Sequence, residues 1–519
     1  MNRHILTISS LALLTVSCSE WLEEPTPGVT KLEDYFTGVE TAIENINACY
    51  VPLAWELNET YFSEWFIGDI VSDDALKGGQ NTNDMADVYD MENWKTMSNN
   101  GLLKQYYRAQ YQGVGRCNLA IDYIGKMSTD ETFDLETKQR ILGEAHFLRA
   151  CYYFRLVRVF GGVPLVCKVI DSDAQWQQKR ATADAVYTQI KTDLMTAAEY
   201  LPLKSEYSAD NLGRATKGAA QAMLLKVNLY TKEYDKAKEW GEAIIESGEY
   251  DLCADYNDNF TLEGENGIES VWEIQYTEEE TSDYGEGFGF TRGTFTVILT
   301  RSRSSLLGGG WGFNHPTQNL YDEFEAGDLR REATIINPTD EQIQNPSQEI
   351  YLGNRYLSRK YAIAQNTDNT QYYTLAHDSR GPINNRQIRY ADVLLMYAEA
   401  CAELGADDKA AEALNKVRQR VGMPAYPGYD ITVNGTTLTP DLRQAIRHER
   451  RVELAMEGHR WFDLCRWGIA KETMDAYKAT ETAECQSQMA EFIKGKHELF
   501  PIPFDEIDLN PSLSQNPMY

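Results

Sequence analysis

The 519-residue sequence lacks a surplus of positive charge, and this absence excludes one class of partners. Lys and Arg number 49 against 79 Asp and Glu, which gives a formal net charge of −30. Binding to nucleic acid needs a positive field against the phosphates, and docking on anionic lipid needs a basic patch. Neither nucleic acid nor an anionic lipid surface is therefore an expected partner.

The sequence also lacks the short motifs of metal sites, disulfide scaffolds and common hydrolases. Its nine cysteines form no Cys-x-x-Cys and no Cys/His grouping with zinc spacing. No Gly-x-Ser-x-Gly and no His-Glu-x-x-His occurs. We therefore expect no metal, no cofactor, no catalytic residues and no enzyme, although 79 acidic residues leave a glycosidase carboxylate pair open.

The N-terminus has an apolar run over residues 5–16, which is too short to span a bilayer. The run ends just before Cys18, as in a lipoprotein signal, with Thr15 where such signals usually have leucine. We predict a signal peptide over residues 1–17, lipidation of Cys18 and an acidic tether over residues 18–35. Several acyl chains on one cysteine would anchor the protein stably.

Apolar residues at three- and four-residue steps predict a series of paired helices. Small and large side chains alternate in them, and two helices occupy thirty-odd residues, which resembles a tetratricopeptide (TPR) unit. Such units bury a face only by stacking on neighbours, so the separated pairs should form one scaffold. The segments are 183–200, 218–230, 234–247, 388–404 and 407–421.

A further helix is predicted over residues 446–468, and it carries a stripe of acidic residues. Glu449, Glu453 and Glu457 are four residues apart, so they share a face and repel one another. Arg450 stands three residues from Glu453, and Arg460 stands three residues from Glu457, so the two arginines should offset part of that repulsion. Glu449 has no such neighbour, and we predict that its partner lies on another helix.

His448 and His459 of the same helix allow two interpretations. Each has a carboxylate close by in the sequence, so each could belong to a general acid/base pair. The alternative is a buried ion-pair network, which we favour because no nucleophile or metal-ligand spacing accompanies either histidine. A helix is also predicted over residues 135–160, and we expect its three arginines to serve as ion-pair partners as well: Arg149, Arg155 and Arg158.

Several motifs resemble the SusD/RagB family. Residues 450–455 and 458–464 read Arg-Arg-Val-Glu-Leu-Ala and Gly-His-Arg-Trp-Phe-Asp-Leu, similar to the signature near the family's C-terminus. Leu-Phe-Pro-Ile-Pro at 499–503 and Gln-Asn-Pro-Met-Tyr at 515–519 resemble its ending, with Met518 where the family usually has glycine. These proteins are outer-membrane lipoproteins that bind nutrients, usually glycans, beside a TonB-dependent transporter.

The resemblance implies a mainly α fold, in which TPR-like helix pairs form a scaffold with an irregular, loop-rich lobe. We expect a helical region over 36–250 and a C-terminal region over 251–519, packing as one unit. The implied function is capture of an oligosaccharide on the outer face of the outer membrane and delivery to a SusC-like TonB-dependent transporter. Capture of peptides or another nutrient, a surface glycosidase and a ligand-free adaptor remain alternatives.

Two irregular stretches, residues 66–100 and 251–386, are rich in glycine, asparagine and tyrosine. Within the second we expect strands near 270–276 and 294–300. Loops on a rigid scaffold commonly carry binding residues, and a saccharide needs aromatic platforms beside carboxylates or amides. The predicted ligand-binding residues are Asp73, Asn81, Trp94, Tyr284, Trp311 and Phe313. For the two tryptophans, a packing role stays open.

Overall fold

The computed structural model describes residues 35–56, 63–278, 293–362, 379–433 and 435–519, and it is mainly α-helical. No helix within these ranges combines the length and the apolar character that crossing a membrane requires. The helices are α1 Val39–Tyr50, α2 Trp65–Gly68, α3 Ala86–Glu92, α4 Gly101–Leu119, α5 Leu135–Phe160, α6 Asp173–Trp176, α7 Ala183–Tyr200, α8 Lys217–Tyr230, α9 Tyr234–Ser247, α10 Thr296–Thr300, α11 Gln318–Glu323, α12 Leu329–Thr334, α13 Pro346–Glu349, α14 Tyr390–Glu403, α15 Asp407–Arg420, α16 Leu442–Glu453, α17 Arg460–Trp467, α18 Ala470–Thr480, α19 Ala483–Gln488 and α20 Phe504–Leu509.

The predicted helix pairs are confirmed as α7, α8, α9, α14 and α15, with ends within two residues of the predicted ones. Helices α4, α5, α7, α8, α9, α14 and α15 form a row in which each packs on the next. The pair α14–α15 therefore follows α9 in the row, although the chain between α9 and α14 is irregular. This row is the TPR-like scaffold, and the stretch between α9 and α14 is an excursion from it.

Glycines allow close approach at two helix contacts in the row. A Cβ added to Gly113 of α4 would lie 2.2 Å from the Tyr152 ring of α5. One added to Gly241 of α9 would lie 2.8 Å from the Tyr397 ring of α14. Each glycine therefore makes room for a tyrosine of the neighbouring helix, and larger residues there would push the helices apart.

In the described ranges the strands form four two-stranded antiparallel sheets. The strand expected near 270–276 is confirmed, but the one expected over 294–300 is wrong, because helix α10 forms there. The Glu56 carboxylate accepts the backbone N–H groups of Phe295 at 2.6 Å and Thr296 at 3.3 Å, which supports a helix start. The strands are β1 Ala75–Gly78, β2 Ser270–Ile274, β3 Phe313–Pro316, β4 Ile335–Ile336, β5 Leu357–Ser358, β6 Asn385–Arg389, β7 Ile431–Val433 and β8 Thr436–Leu438.

The single helix predicted over 446–468 is wrong in one respect, because a turn divides it into α16 and α17. Gly458 in this turn has a φ of +79°, and its N–H donates to Asp69 Oδ1 at 2.8 Å. A Cβ added to Gly68 at the end of α2 would lie 2.1 Å from the Gly458 carbonyl oxygen. The close contact between Gly68 and Gly458 therefore brings α2 against the α16–α17 junction.

The acidic stripe of α16 is neutralised from other elements. Arg418 of α15 donates to Glu449 at 2.7 Å, which confirms the predicted partner on another helix. Arg420 of α15 and Arg389 donate to Glu453 at 2.6 and 2.9 Å. The third glutamate, Glu457, lies in the turn after α16 and pairs with Lys360 at 2.8 Å. The stripe therefore holds α16 against α15 and the irregular excursion.

The expected role of Arg450 and Arg460 in offsetting this stripe is wrong. Arg450 instead pairs with Asp392 of α14 at 2.8 Å, and Arg460 pairs with Asp73 at 2.8 Å. Successive side chains of α16 leave the helix in different directions, and long arginines reach the nearest carboxylate in space rather than in sequence. The sequence spacing alone did not reveal these partners.

His448 and three arginines of α5 belong to the predicted ion-pair network. His459 does not, because burial and the charge of Lys226 lower its pKa to about 4 and leave the imidazole neutral. His448 Nδ1 lies 2.9 Å from the Glu323 carboxylate. Burial lowers the pKa of His448, but hydrogen bonds to Glu323 and Glu325 outweigh this and raise it to about 9. The three arginines of α5 also form ion pairs, one with Asp193 of α7 and two with Glu64: Arg149, Arg155 and Arg158.

Candidate ligand-binding surface

The β1–β3 ribbon brings together the two irregular stretches that were predicted to carry the site. The strands pair antiparallel, with Gly78 opposite Phe313. Beyond this pair, the Gly79 N–H donates to the Gly312 carbonyl oxygen at 2.5 Å. The loop after β1 and the loop before β3 therefore lie side by side at one end of the ribbon.

Lys77 organises the first of these loops from inside. Its fully buried Nζ donates to three backbone carbonyls, those of Gly78 at 2.8 Å, Asn81 at 3.1 Å and Asp84 at 2.6 Å. Burial lowers the pKa of Lys77 to about 8, against the opposing effect of nearby carboxylates. Because one ammonium gathers three carbonyls, the loop over residues 78–84 has a defined shape.

The same loop presents amide side chains to solvent. Gln80, Asn81 and Asn83 are exposed. The Gln80 N–H donates to the Asp84 carboxylate at 2.8 Å, and the Asn83 N–H donates to Asn81 Oδ1 at 2.9 Å. These local bonds fix the backbone, and the exposed side chain of Asn81 carries an amide N–H₂ group in addition to the oxygen that accepts from Asn83. The loop can therefore offer amide donors to a ligand.

Trp311 is the aromatic residue of the second loop, and it is partly exposed. Its ring packs edge-on against Phe295 with centroids 5.7 Å apart, and part of the side chain stays exposed. Its carbonyl oxygen accepts Arg303 Nη1 at 3.2 Å, and its N–H donates to the Ile298 carbonyl at 2.8 Å. A supported, partly exposed indole is a suitable platform for the C–H face of a sugar.

The other predicted residues that the structure describes do not reach the surface. The fully buried Asp73 accepts Arg460 at 2.8 Å and lies 2.9 Å from Arg451. Burial raises its pKa, but both arginines outweigh that effect and lower it to about 2. Trp94 is 6% exposed and packs edge-on against Phe492, and Phe313 is 1% exposed. These side chains support neighbouring elements.

Tyr284 and Cys18 lie outside the described residues. Within the described ranges, no group of three or more histidine, cysteine or acidic side chains is placed to hold a metal ion. The sequence did not predict the organising role of Lys77, although a lysine between Ala75-Leu76 and Gly78-Gly79 was a signal for it. Arg303, which donates to the Trp311 carbonyl oxygen, was not among the predicted residues either.

Comparison with known proteins places the whole chain in one family. The SusD family model matches residues 268–519, and a model described as "Starch-binding associating with outer membrane" matches residues 20–229. SusD-like protein P2 of Formosa agariphila is 26% identical over 536 residues, which cover 99% of each chain. The two models lie in the two halves of the chain and leave only short segments unmatched.

Solved structures agree with this assignment. A laminarin-binding SusD-like protein superposes with a TM-score of 0.78 at 28% identity, covering 93% of this chain and 100% of that one. Surface glycan-binding protein A from Bacteroides thetaiotaomicron, in complex with laminarihexaose, gives a TM-score of 0.75 at 26% identity, with 92% and 100% covered. With matching family models over both halves and the same fold along nearly the whole chain, the protein belongs to the SusD/RagB family.

Proposed function

We propose that the protein captures an oligosaccharide by stacking and hydrogen bonding, without chemical change to the ligand. The observation that carries the proposal is the junction of two loops at the end of the β1–β3 ribbon. Trp311 supplies an aromatic face there, and Asn81 and Arg303 supply polar donors. Stacking on an indole with polar groups at its rim is the chemistry that a sugar ring requires.

Laminarin-type oligosaccharides are the first ligand class to test. Two relatives with known structures are described as binding laminarin or laminarihexaose. Such ligands carry no charge, so the net charge of −30 does not oppose their binding, whereas it would repel anionic polymers.

The capture would take place on the outer face of the outer membrane, with the protein anchored through lipidated Cys18. The short apolar run before this cysteine and the outer-membrane wording of the matching family model support this location. From there the protein would deliver its ligand to a SusC-like TonB-dependent transporter. Peptide capture and surface glycosidase activity are the competing functions.

Calorimetry of the soluble form, residues 19–519, against a panel of glycans and peptides tests the proposal. Laminarihexaose belongs in the panel, and the same mixtures are analysed for products. We expect an oligosaccharide to bind without any product. Products that disappear when one acidic residue is neutralised would instead establish a glycosidase, and binding confined to peptides would favour the peptide alternative.

A further inference from the structure

A small chamber lies inside the scaffold, away from the β1–β3 ribbon. Its volume is about 40 Å³, and its walls come from α5, α8, β2 and the turn between α16 and α17. A buried water needs roughly 10–15 Å³ on this measure, whereas pockets for drug-sized ligands occupy about 300–1,000 Å³. The chamber can therefore hold a small ion or a few waters, but no sugar ring.

Two guanidinium groups on the chamber wall share one carboxylate. Arg155 Nε and Arg158 Nη2 lie 3.3 and 3.1 Å from the same oxygen of Glu64. Among the residues that the structure describes, Glu64 is the carboxylate with which either arginine forms an ion pair. The Arg158 guanidinium also lies between the rings of Phe154 and Phe462, 4.4 and 4.1 Å from their centroids. Within the described residues, one positive charge of this group is therefore left without a counter-charge.

The other charged groups of the wall pair elsewhere, and Lys226 shares its partner Asp392 with Arg450. Lys226 pairs with Asp392 at 3.0 Å, and Glu457 is neutralised by Lys360 and Arg389. They therefore leave the uncompensated charge of the arginine pair in place. His459 also lines the chamber, and burial together with the charge of Lys226 lowers its pKa to about 4. The imidazole is therefore neutral at ordinary pH, which fits a positive environment.

Two buried N–H donors on the chamber wall lack acceptors. Arg158 Nε and Trp272 Nε1 have no hydrogen-bond partner within the described part of the chain. The Arg158 side chain is 8% exposed and Trp272 is 5% exposed, so bulk water does not satisfy them. Buried donors are almost always paired, which points to an acceptor that occupies the chamber.

We propose that the chamber binds one small anion of the halide class, for which chloride is the simplest example. The anion would accept hydrogen bonds from Arg158 Nε and Trp272 Nε1 and would balance the charge that Glu64 leaves on the arginine pair. Ordered water would also accept these bonds, but it would leave that charge uncompensated in the protein interior. The site would be structural, because it ties α5 to β2 beneath the irregular excursion.

Bromide provides the direct test. The protein is purified with sodium bromide as the only added halide, and unfolding and refolding in this buffer replaces any bound chloride with bromide. Crystals of the refolded protein are then measured at the bromine absorption edge. We expect an anomalous peak inside the chamber, next to Arg158 and Trp272. Density that refines as water with no anomalous signal would overturn the proposal.

Thermal unfolding gives an independent readout in solution. At constant ionic strength, replacing methanesulfonate with chloride should raise the melting temperature of the wild type by about 1 °C once chloride exceeds its Kd about tenfold. Trp272→Phe keeps an aromatic ring against Phe147 but removes the indole N–H donor. The difference in its melting temperature between the two salts should therefore fall toward zero. Trp240→Phe on α9 is the matched control and should keep the full difference. An equal response in both variants, or none in the wild type, would contradict an anion site.

Discussion

Glu453 is the buried charge whose removal tests the account of the scaffold most sharply. The side chain is fully buried, and it accepts hydrogen bonds from Arg420 at 2.6 Å, Arg389 at 2.9 Å and Arg330 at 3.0 Å. Because these arginines come from α15, β6 and α12, the one carboxylate joins three elements to α16. Replacing Glu453 with alanine leaves all three guanidinium groups short of one partner.

The expected cost is set by what remains around those arginines. Removing one partner of a buried ion pair typically costs about 3–5 kcal/mol, because the other charge stays buried and uncompensated. Here Arg330 keeps Asp328 at 2.8 Å, and Arg389 keeps Glu457 at 2.8 Å. We therefore expect a loss near the lower end of that range, about 3 kcal/mol.

The loss should also depend on pH. Burial raises the pKa of Glu453, but Arg420, Arg389 and Arg330 outweigh this and hold it well below its ordinary value of 4.5. A carboxylate with a depressed folded-state pKa contributes stability above its unfolded pKa and loses it as the pH falls. The difference between the wild type and Glu453→Ala should therefore be full at pH 7 and shrink below about pH 4.5.

Urea unfolding followed by far-ultraviolet circular dichroism measures the difference. Glu412→Ala is the control, because this glutamate is 69% exposed and pairs only with Lys416 at 3.3 Å, so we expect a change below about 1 kcal/mol. A Glu453→Ala protein within about 0.5 kcal/mol of the wild type at pH 7 would refute the ion-pair account of α16.

Three further predictions concern other parts of the chain. Cys18→Ala should move the protein from the membrane fraction to the soluble fraction, and unchanged fractionation would argue against lipidation. The stability of His448→Gln should depend less on pH than that of the wild type. The raised pKa of His448, about 9, gives the wild type stability that is present below pH 6.5 and lost as the pH rises through 9. Equal pH profiles of the melting temperature in the two proteins would contradict this. Asp73→Ala should lose about 3–5 kcal/mol of stability through Arg451 and Arg460, with an unchanged glycan Kd in the folded fraction, and weaker binding at full stability would reverse that assignment.

Periodicity in the sequence was enough to predict the helix pairs, because each helix buries one continuous apolar face. It was not enough for the break between α16 and α17, since that turn depends on Gly68, which is remote in sequence and lies against Gly458. The partners of Arg450 and Arg460 were missed for a similar reason. Long side chains choose among carboxylates that only the folded chain brings within reach.

The candidate site was predictable only in part. Glycine-rich, irregular stretches indicated where it would lie, and the β1–β3 ribbon brings Asn81 and Trp311 to the same end. Composition does not distinguish an aromatic residue on the surface from one that fills a gap beneath it, and Trp94 and Phe313 prove to be buried. Burial depends on the opposing element, such as the C-terminal segment that places Phe492 against Trp94.

The central claim is that the end of the β1–β3 ribbon binds a glycan, and one calorimetric comparison tests it most directly. Wild type, Trp311→Ala and Trp176→Ala are titrated with laminarihexaose or the tightest oligosaccharide of the panel. Trp176 is the control because it is 66% exposed on α6. We expect Trp311→Ala to weaken binding about tenfold at an unchanged melting temperature, and Trp176→Ala to bind normally. Wild-type affinity in a folded Trp311→Ala protein would contradict the claim.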